Sequence, residues 1–65
     1  MLITINQQPV ELPDTASVAD ALALWQPQPP FAVAVNTEFV PKSRYESHVL
    51  AQNDRMEVIA PVTGG

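Results

Sequence analysis

Apolar and polar positions along the chain switch between two periods. Leu2-Ile3-Thr4-Ile5 is rich in β-branched residues and predicts a strand. Asn6-Gln7-Gln8-Pro9 is a polar break, and Val10-Glu11-Leu12 alternates as a short return strand. The pair predicts a hairpin, with Pro9 tolerated near a strand start or on a sheet edge. From Ser17 the spacing changes. Val18, Ala21, Leu22 and Trp25 fall three, four and seven residues apart, on one face of a helix running from Ser17 through Trp25. Ser17 suits the N-cap, and Asp20, three residues later, suits a capping box. Pro27 stops the helix, and Gln28-Pro29-Pro30 keeps the chain extended.

Phe31 to Val35 is a compact apolar run that suits a central, well-buried strand. Asn36-Thr37-Glu38 reads as a turn and Phe39-Val40 as a short strand before Pro41. Lys42 to Gln52 has no clear period and predicts a loop with one helical turn. Gln52-Asn53-Asp54 is a further turn, with Asn53 suited to left-handed backbone. Met56 to Ile59 forms the last strand, with Met56 and Val58 toward the helix and Glu57 and Ile59 outward.

Two strands, a helix and three more strands predict a two-layer α+β domain. One short helix covers only one face of a sheet, so the economical arrangement is a mixed sheet with the helix across it, a β-grasp. The pattern does not fix the strand order. The expected organisation is a single domain over residues 1–65, with 61–65 a flexible C-terminal tail. The core expected from these periods is Ile3, Ile5, Val18, Leu22, Trp25, Val33, Val35, Met56 and Val58.

Composition narrows the partners. With no cysteine and one histidine, neither a disulfide nor a cysteine-rich metal site is available. A net charge of −4, with only Lys42, Arg44 and Arg55 as cations, argues against nucleic acid and anionic membrane surfaces. It leaves room for a partner with a basic docking surface, but mild acidity that only serves solubility is the better account. No targeting or membrane-spanning segment is visible, so the expected location is cytoplasmic.

No catalytic constellation emerges. His48 lies in the unpatterned loop, with nothing in the spacing to make it a base for a serine. Glu11, Asp14 and Asp20 are accounted for by turn, cap and solvent roles. The chain has two glycines, and they are Gly64 and Gly65. Average usage gives a closing Gly-Gly in about 1 chain in 200, which makes a merely frayed end the weaker explanation. Two residues without Cβ atoms can thread a narrow slot and leave the terminal carbonyl open to attack. A carboxylate there needs activation, for example as an acyl-adenylate. A sulfur nucleophile would then leave a thiocarboxylate, which would attack carbon centres as thiolates do.

Those residues resemble the ThiS family of thiamin-biosynthesis sulfur carriers along essentially the whole chain. The anchors are LITIN, VADALAL, AVAVNTEFVPKSRY, NDRMEVI and the closing PVTGG. The resemblance implies a ubiquitin-like β-grasp and a protein co-substrate rather than an enzyme. It implies that a ThiF-type adenylyltransferase consumes ATP to adenylate Gly65, with no cofactor bound by the carrier itself. A cysteine desulfurase would be the indirect sulfur source, and a ThiG-type thiazole synthase would use the Gly65 thiocarboxylate. Gly64 and Gly65 carry over directly, with Pro61 and Val62 lining the tail where it enters its partners. Family members often carry glycine at the positions of Asn53 and Thr63 and arginine at Lys42; Thr63 stiffens the tail base. Phe39 and Ile59, continuing into Pro61 and Val62, are the expected partner-contact patch, with Phe39 equally suited to the core. Two alternatives stand beside this reading. One is a sulfur carrier for molybdopterin synthesis or another thiocarboxylate pathway. The other is a non-catalytic interaction domain whose Gly-Gly end is incidental.

Overall fold

A computed structural model of the chain describes residues 1–60. Five strands and one α-helix follow the order predicted: β1 (Leu2–Ile5), β2 (Gln8–Glu11), α1 (Val18–Trp25), β3 (Ala32–Val35), β4 (Glu38–Val40) and β5 (Arg55–Ile59), with a 3-10 turn at Lys42–Arg44 before β5. The strands form one mixed sheet in the order β2-β1-β5-β3-β4. Both hairpins are antiparallel, and β5 pairs parallel to β1 and antiparallel to β3. Thus β5, the last strand in sequence, is the central strand in space. The FAVAV segment lies one place off centre. Only Val33 and Val35 of it are fully buried, while Ala32 and Ala34 occupy the opposite face.

Hairpin connection sets the two ends of the sheet. Ile5 faces Gln8 and Val35 faces Glu38, leaving two-residue loops at Asn6-Gln7 and Asn36-Thr37. All four loop residues have positive φ, between 50° and 71°, the signature of type I′ turns whose twist matches the flanking strands. Such turns favour glycine at the second position, but here Gln7 and Thr37 fill it. Gln26, at the helix C-cap, and Asn53 also take positive φ. Pro9 sits on the edge strand β2, where its missing N–H leaves no ladder bond unmade.

The helix forms as its caps dictate. The Ser17 side chain accepts from the Asp20 backbone N–H, and the Asp20 carboxylate accepts from the Ser17 N–H at 2.9 Å. Of the other early helical N–H groups, Val18 donates to the His48 carbonyl (2.9 Å), Ala19 to that of Tyr45 (2.8 Å) and Ala21 to that of Ser17 (3.1 Å). The donors that usually hang free at a helix start are all used. At the other end, the Gln26 N–H returns to the Leu22 carbonyl.

Side chains from the helix-facing side of the sheet close the core: Ile3, Ile5, Val33, Val35, Val40 and Met56 lie against Val18 and Ala21. Leu22, Trp25 and Val58, expected in the core, are half-buried at its border. Leu12, Ala16 and Leu50 complete it, and none of them belongs to a strand or the helix. Leu50 is brought in by an isolated bridge between Ser17 and Val49, and its N–H donates to the Ala16 carbonyl at 2.9 Å. The segment without a period is therefore structural: it caps the helix with its carbonyls and fills the core with Leu50.

Two measurements check this account. Leu50→Ala should lower the free energy of urea unfolding by about 2–5 kcal/mol, the range for a truncated core leucine. A loss below about 1 kcal/mol, typical of surface sites, would remove Leu50 from the core. Thr37→Gly should raise stability by about 0.5–1 kcal/mol, because a β-branched residue at positive φ is strained where glycine is not. An unchanged or lower urea midpoint would show that the turn is unstrained.

Candidate functional site

Period-two alternation gives the sheet a second face. Since Met56 and Val58 point toward the helix, Arg55, Glu57 and Ile59 point away from it, and all three are exposed. Ala32 pairs with Ile59, and Ala34 pairs with both Glu57 and Phe39. Phe39, Ala34, Ala32 and Ile59 therefore share the outward face. Phe39 is 69 % exposed and Ile59 53 %, which settles Phe39 as surface rather than core. Among the described residues these two are prominent in a short set of exposed large apolar side chains that also includes Leu24 and Val49.

The same register places the end of β5. The two strands run in the same sense on either side of β3, so Ile59 leaves the sheet where β4 passes into Pro41 and the 3-10 turn. Two of the three cations of the chain, Lys42 and Arg44, belong to that turn. An open hollow of about 380 Å³ lies beside it, walled by Phe39, Pro41, Arg44 and His48 among others. Of the residues expected to carry function, the structure thus brings Phe39 and Ile59 onto one face. Pro61, Val62, Gly64 and Gly65, and the tail 61–65 as a whole, lie outside the described residues.

Other chemistries find no support on the described part. Asp14 binds the N-terminal ammonium at 3.2 Å, the only ion pair among the described residues. Asp20 is committed to the helix cap and Glu11 is exposed on an edge strand. His48 is half-buried, and its carbonyl serves the helix. Among the described residues no three His, Cys, Asp or Glu side chains group to hold a metal, and no helix is long and apolar enough to cross a membrane.

Sequence reasoning missed the alanines of this face. Their signal was present in the small-large alternation Ala-Val-Ala-Val, which marks a strand with one thick buried side and one side flat enough for another surface to approach. Because the face is exposed, Ile59→Asp should change the free energy of unfolding by less than about 1 kcal/mol, the span of strand propensities. Unfolding by this substitution would show that Ile59 supports the fold.

Comparison with known proteins agrees with the geometry. The ThiS family model matches residues 3–65. The crystal structure of a thiamine biosynthesis protein (ThiS) from Geobacter metallireducens superposes with a TM-score of 0.83 at 19 % identity, covering all of both chains. An NMR solution structure of a thiamine biosynthesis protein from the same organism gives a TM-score of 0.78 at 20 % identity, covering all of this chain and 88 % of the other. At these identities the superpositions establish the shared fold. No curated protein matches the sequence.

Proposed function

The chain belongs to the ThiS family, and from that premise we propose that it is a sulfur carrier for thiazole formation in thiamin biosynthesis. The observation that carries the reading is that the family match runs through Gly64 and Gly65. A ThiF-type adenylyltransferase activates the Gly65 carboxylate with ATP. The terminal sulfur of a persulfide formed by a cysteine desulfurase attacks the adenylate and expels AMP, and a thiol then cleaves the resulting acyl disulfide, leaving a disulfide behind and a thiocarboxylate on Gly65. A ThiG-type thiazole synthase then takes the sulfur. The chain is a co-substrate throughout, and ATP is used by the activating partner and not by the carrier.

The division of the sheet supports this role. A carrier must visit more than one partner without unfolding, so its recognition surface has to be independent of its core. Phe39 and Ile59 on the outward face, leading toward Pro61 and Val62, provide an apolar contact of that kind. The glycines fit the chemistry because a residue with a branched side chain would crowd both a narrow partner slot and the reacting carbonyl.

The decisive measurement is intact mass. The protein is incubated with a ThiF-type enzyme, ATP, a persulfide source and a thiol reductant. It should gain the mass difference between sulfur and oxygen, confined to the C-terminal peptide and dependent on ATP. Gly65→Val should suppress the gain, and Ile59→Asp should slow it by weakening partner binding. An unchanged mass with a verified partner set would sink the assignment. Consumption of the thiocarboxylate by a molybdopterin synthase large subunit, and not by a thiazole synthase, would move the chain to the other pathway.

A further inference from the structure

A single carboxylate interrupts the outward apolar face. Across the sheet one row reads Phe39, Ala34, Glu57, and Ile59 follows Glu57 by two residues on the same face. Glu57 is exposed and has no ion-pair partner among the described residues. On its other side lies an open hollow of about 400 Å³ between the two hairpin turns, walled by Thr4, Asn6, Asn36, Thr37 and Arg55 among others. The two asparagine amides of this rim are already engaged, and Gln7 adds a third amide to the lining. The Asn6 side chain bonds the Val58 backbone, and that of Asn36 bonds the Arg55 N–H and the Asp54 carboxylate. Glu57 is the free anion of the hollow. Arg55, two residues away on the same face and about 7 Å along the strand, lines the same hollow, and no ion pair joins it to Glu57 among the described residues.

A partner that covers Phe39 and Ile59 must withdraw Glu57 from water as well. A desolvated carboxylate left unpaired opposes binding strongly, whereas one met by a cation does not. We propose that Glu57 determines the specificity of this docking face, and that the activating partner meets it with an arginine or lysine projecting from an otherwise apolar surface into the hollow between the hairpin turns. The excess of negative charge on the chain points the same way. The proposal rests on the sulfur-carrier reading, and it adds the chemistry by which the activating enzyme is recognised.

The test titrates the wild-type protein and Glu57→Asp, Glu57→Gln and Glu57→Lys variants against the ThiF-type adenylyltransferase encoded by the same genome, at low and high salt. The carrier KM and kcat of the ATP-dependent mass gain are measured alongside. Glu57→Gln should weaken binding about tenfold and Glu57→Lys about a hundredfold, the scale of a lost and of a reversed interfacial charge pair. Glu57→Asp should retain most of the affinity, and the effect should fall on KM more than on kcat. Wild-type binding should weaken with salt more steeply than that of Glu57→Gln. Thermal unfolding of all variants should match the wild type, since Glu57 is exposed on the outward face of β5. If Glu57→Lys binds as the wild type does while Ile59→Asp is impaired, the docking face stands and the role of Glu57 is refuted. If the wild-type chain gains no mass at all, the carrier reading fails, and this proposal with it.

Discussion

Strand β5 is held in the middle of the sheet by two asparagines, one from each hairpin turn. On one flank β1 pairs with β5 at only two positions, Thr4 with Arg55 and Ile5 with Met56. Asn6 extends that flank. Its N–H donates to the Met56 carbonyl, and its side chain both accepts from the Val58 N–H (2.8 Å) and donates to the Val58 carbonyl (3.2 Å). On the other flank the Asn36 N–H donates to the Arg55 carbonyl, and its side-chain oxygen accepts from the Arg55 N–H at 2.9 Å. Each asparagine takes a left-handed conformation that most residues avoid, closes a hairpin and satisfies strand groups that would otherwise lack a partner.

Everything else in the molecule depends on that registration. Side chains alternate along a strand, so a slip of one residue would turn Met56 and Val58 outward and bring Glu57 and Ile59 into the core. Burying Glu57 without a cation would be prohibitive, which gives the chain a second reason to keep the observed register. The largest fully buried side chains are Ile3, Ile5, Val18, Val33 and Met56, one or two from each inner strand and the helix. Each contributes about 1.5–3 kcal/mol on burial, and this contribution exists only when β1, β5 and β3 are aligned.

What was legible in the sequence follows from the range of the interactions involved. The helix was legible because its signals are local: Ser17 and Asp20 close a box within one turn, and Val18 to Trp25 repeat on one face. The strands and the outward direction of Glu57 and Ile59 were legible from period two. Leu50 was not, because its place is set by a bridge to Ser17 more than thirty residues away, and nothing near it in sequence records that contact. The two type I′ turns were obscured for another reason. Their usual mark is glycine, and Gln7 and Thr37 take positive φ without it. Phe39 was ambiguous because a three-residue edge strand is too short to display a period. The central place of β5 was hidden because strand order is decided between elements, not within them.

The absence of internal glycine now carries more weight than it does as composition. Six non-glycine residues among those described hold positive φ, each at a position where glycine would relieve strain. The chain therefore had several structural uses for glycine and met each with another residue, while its two glycines stand together at positions 64 and 65. A purely structural account of those two would have to explain why they are absent where the backbone asks for them. A chemical account does not meet this difficulty, because under the proposed function the property in demand at 64 and 65 is the missing side chain itself, at a carbonyl that an activating partner would have to reach. The same separation runs through β5. Met56 and Val58 serve the fold and Glu57 and Ile59 face outward, so the strand that anchors the core also carries an exposed surface. Alternation makes the two faces independent, so substitutions on the outer face can change the exposed surface without disturbing what holds the strand in place.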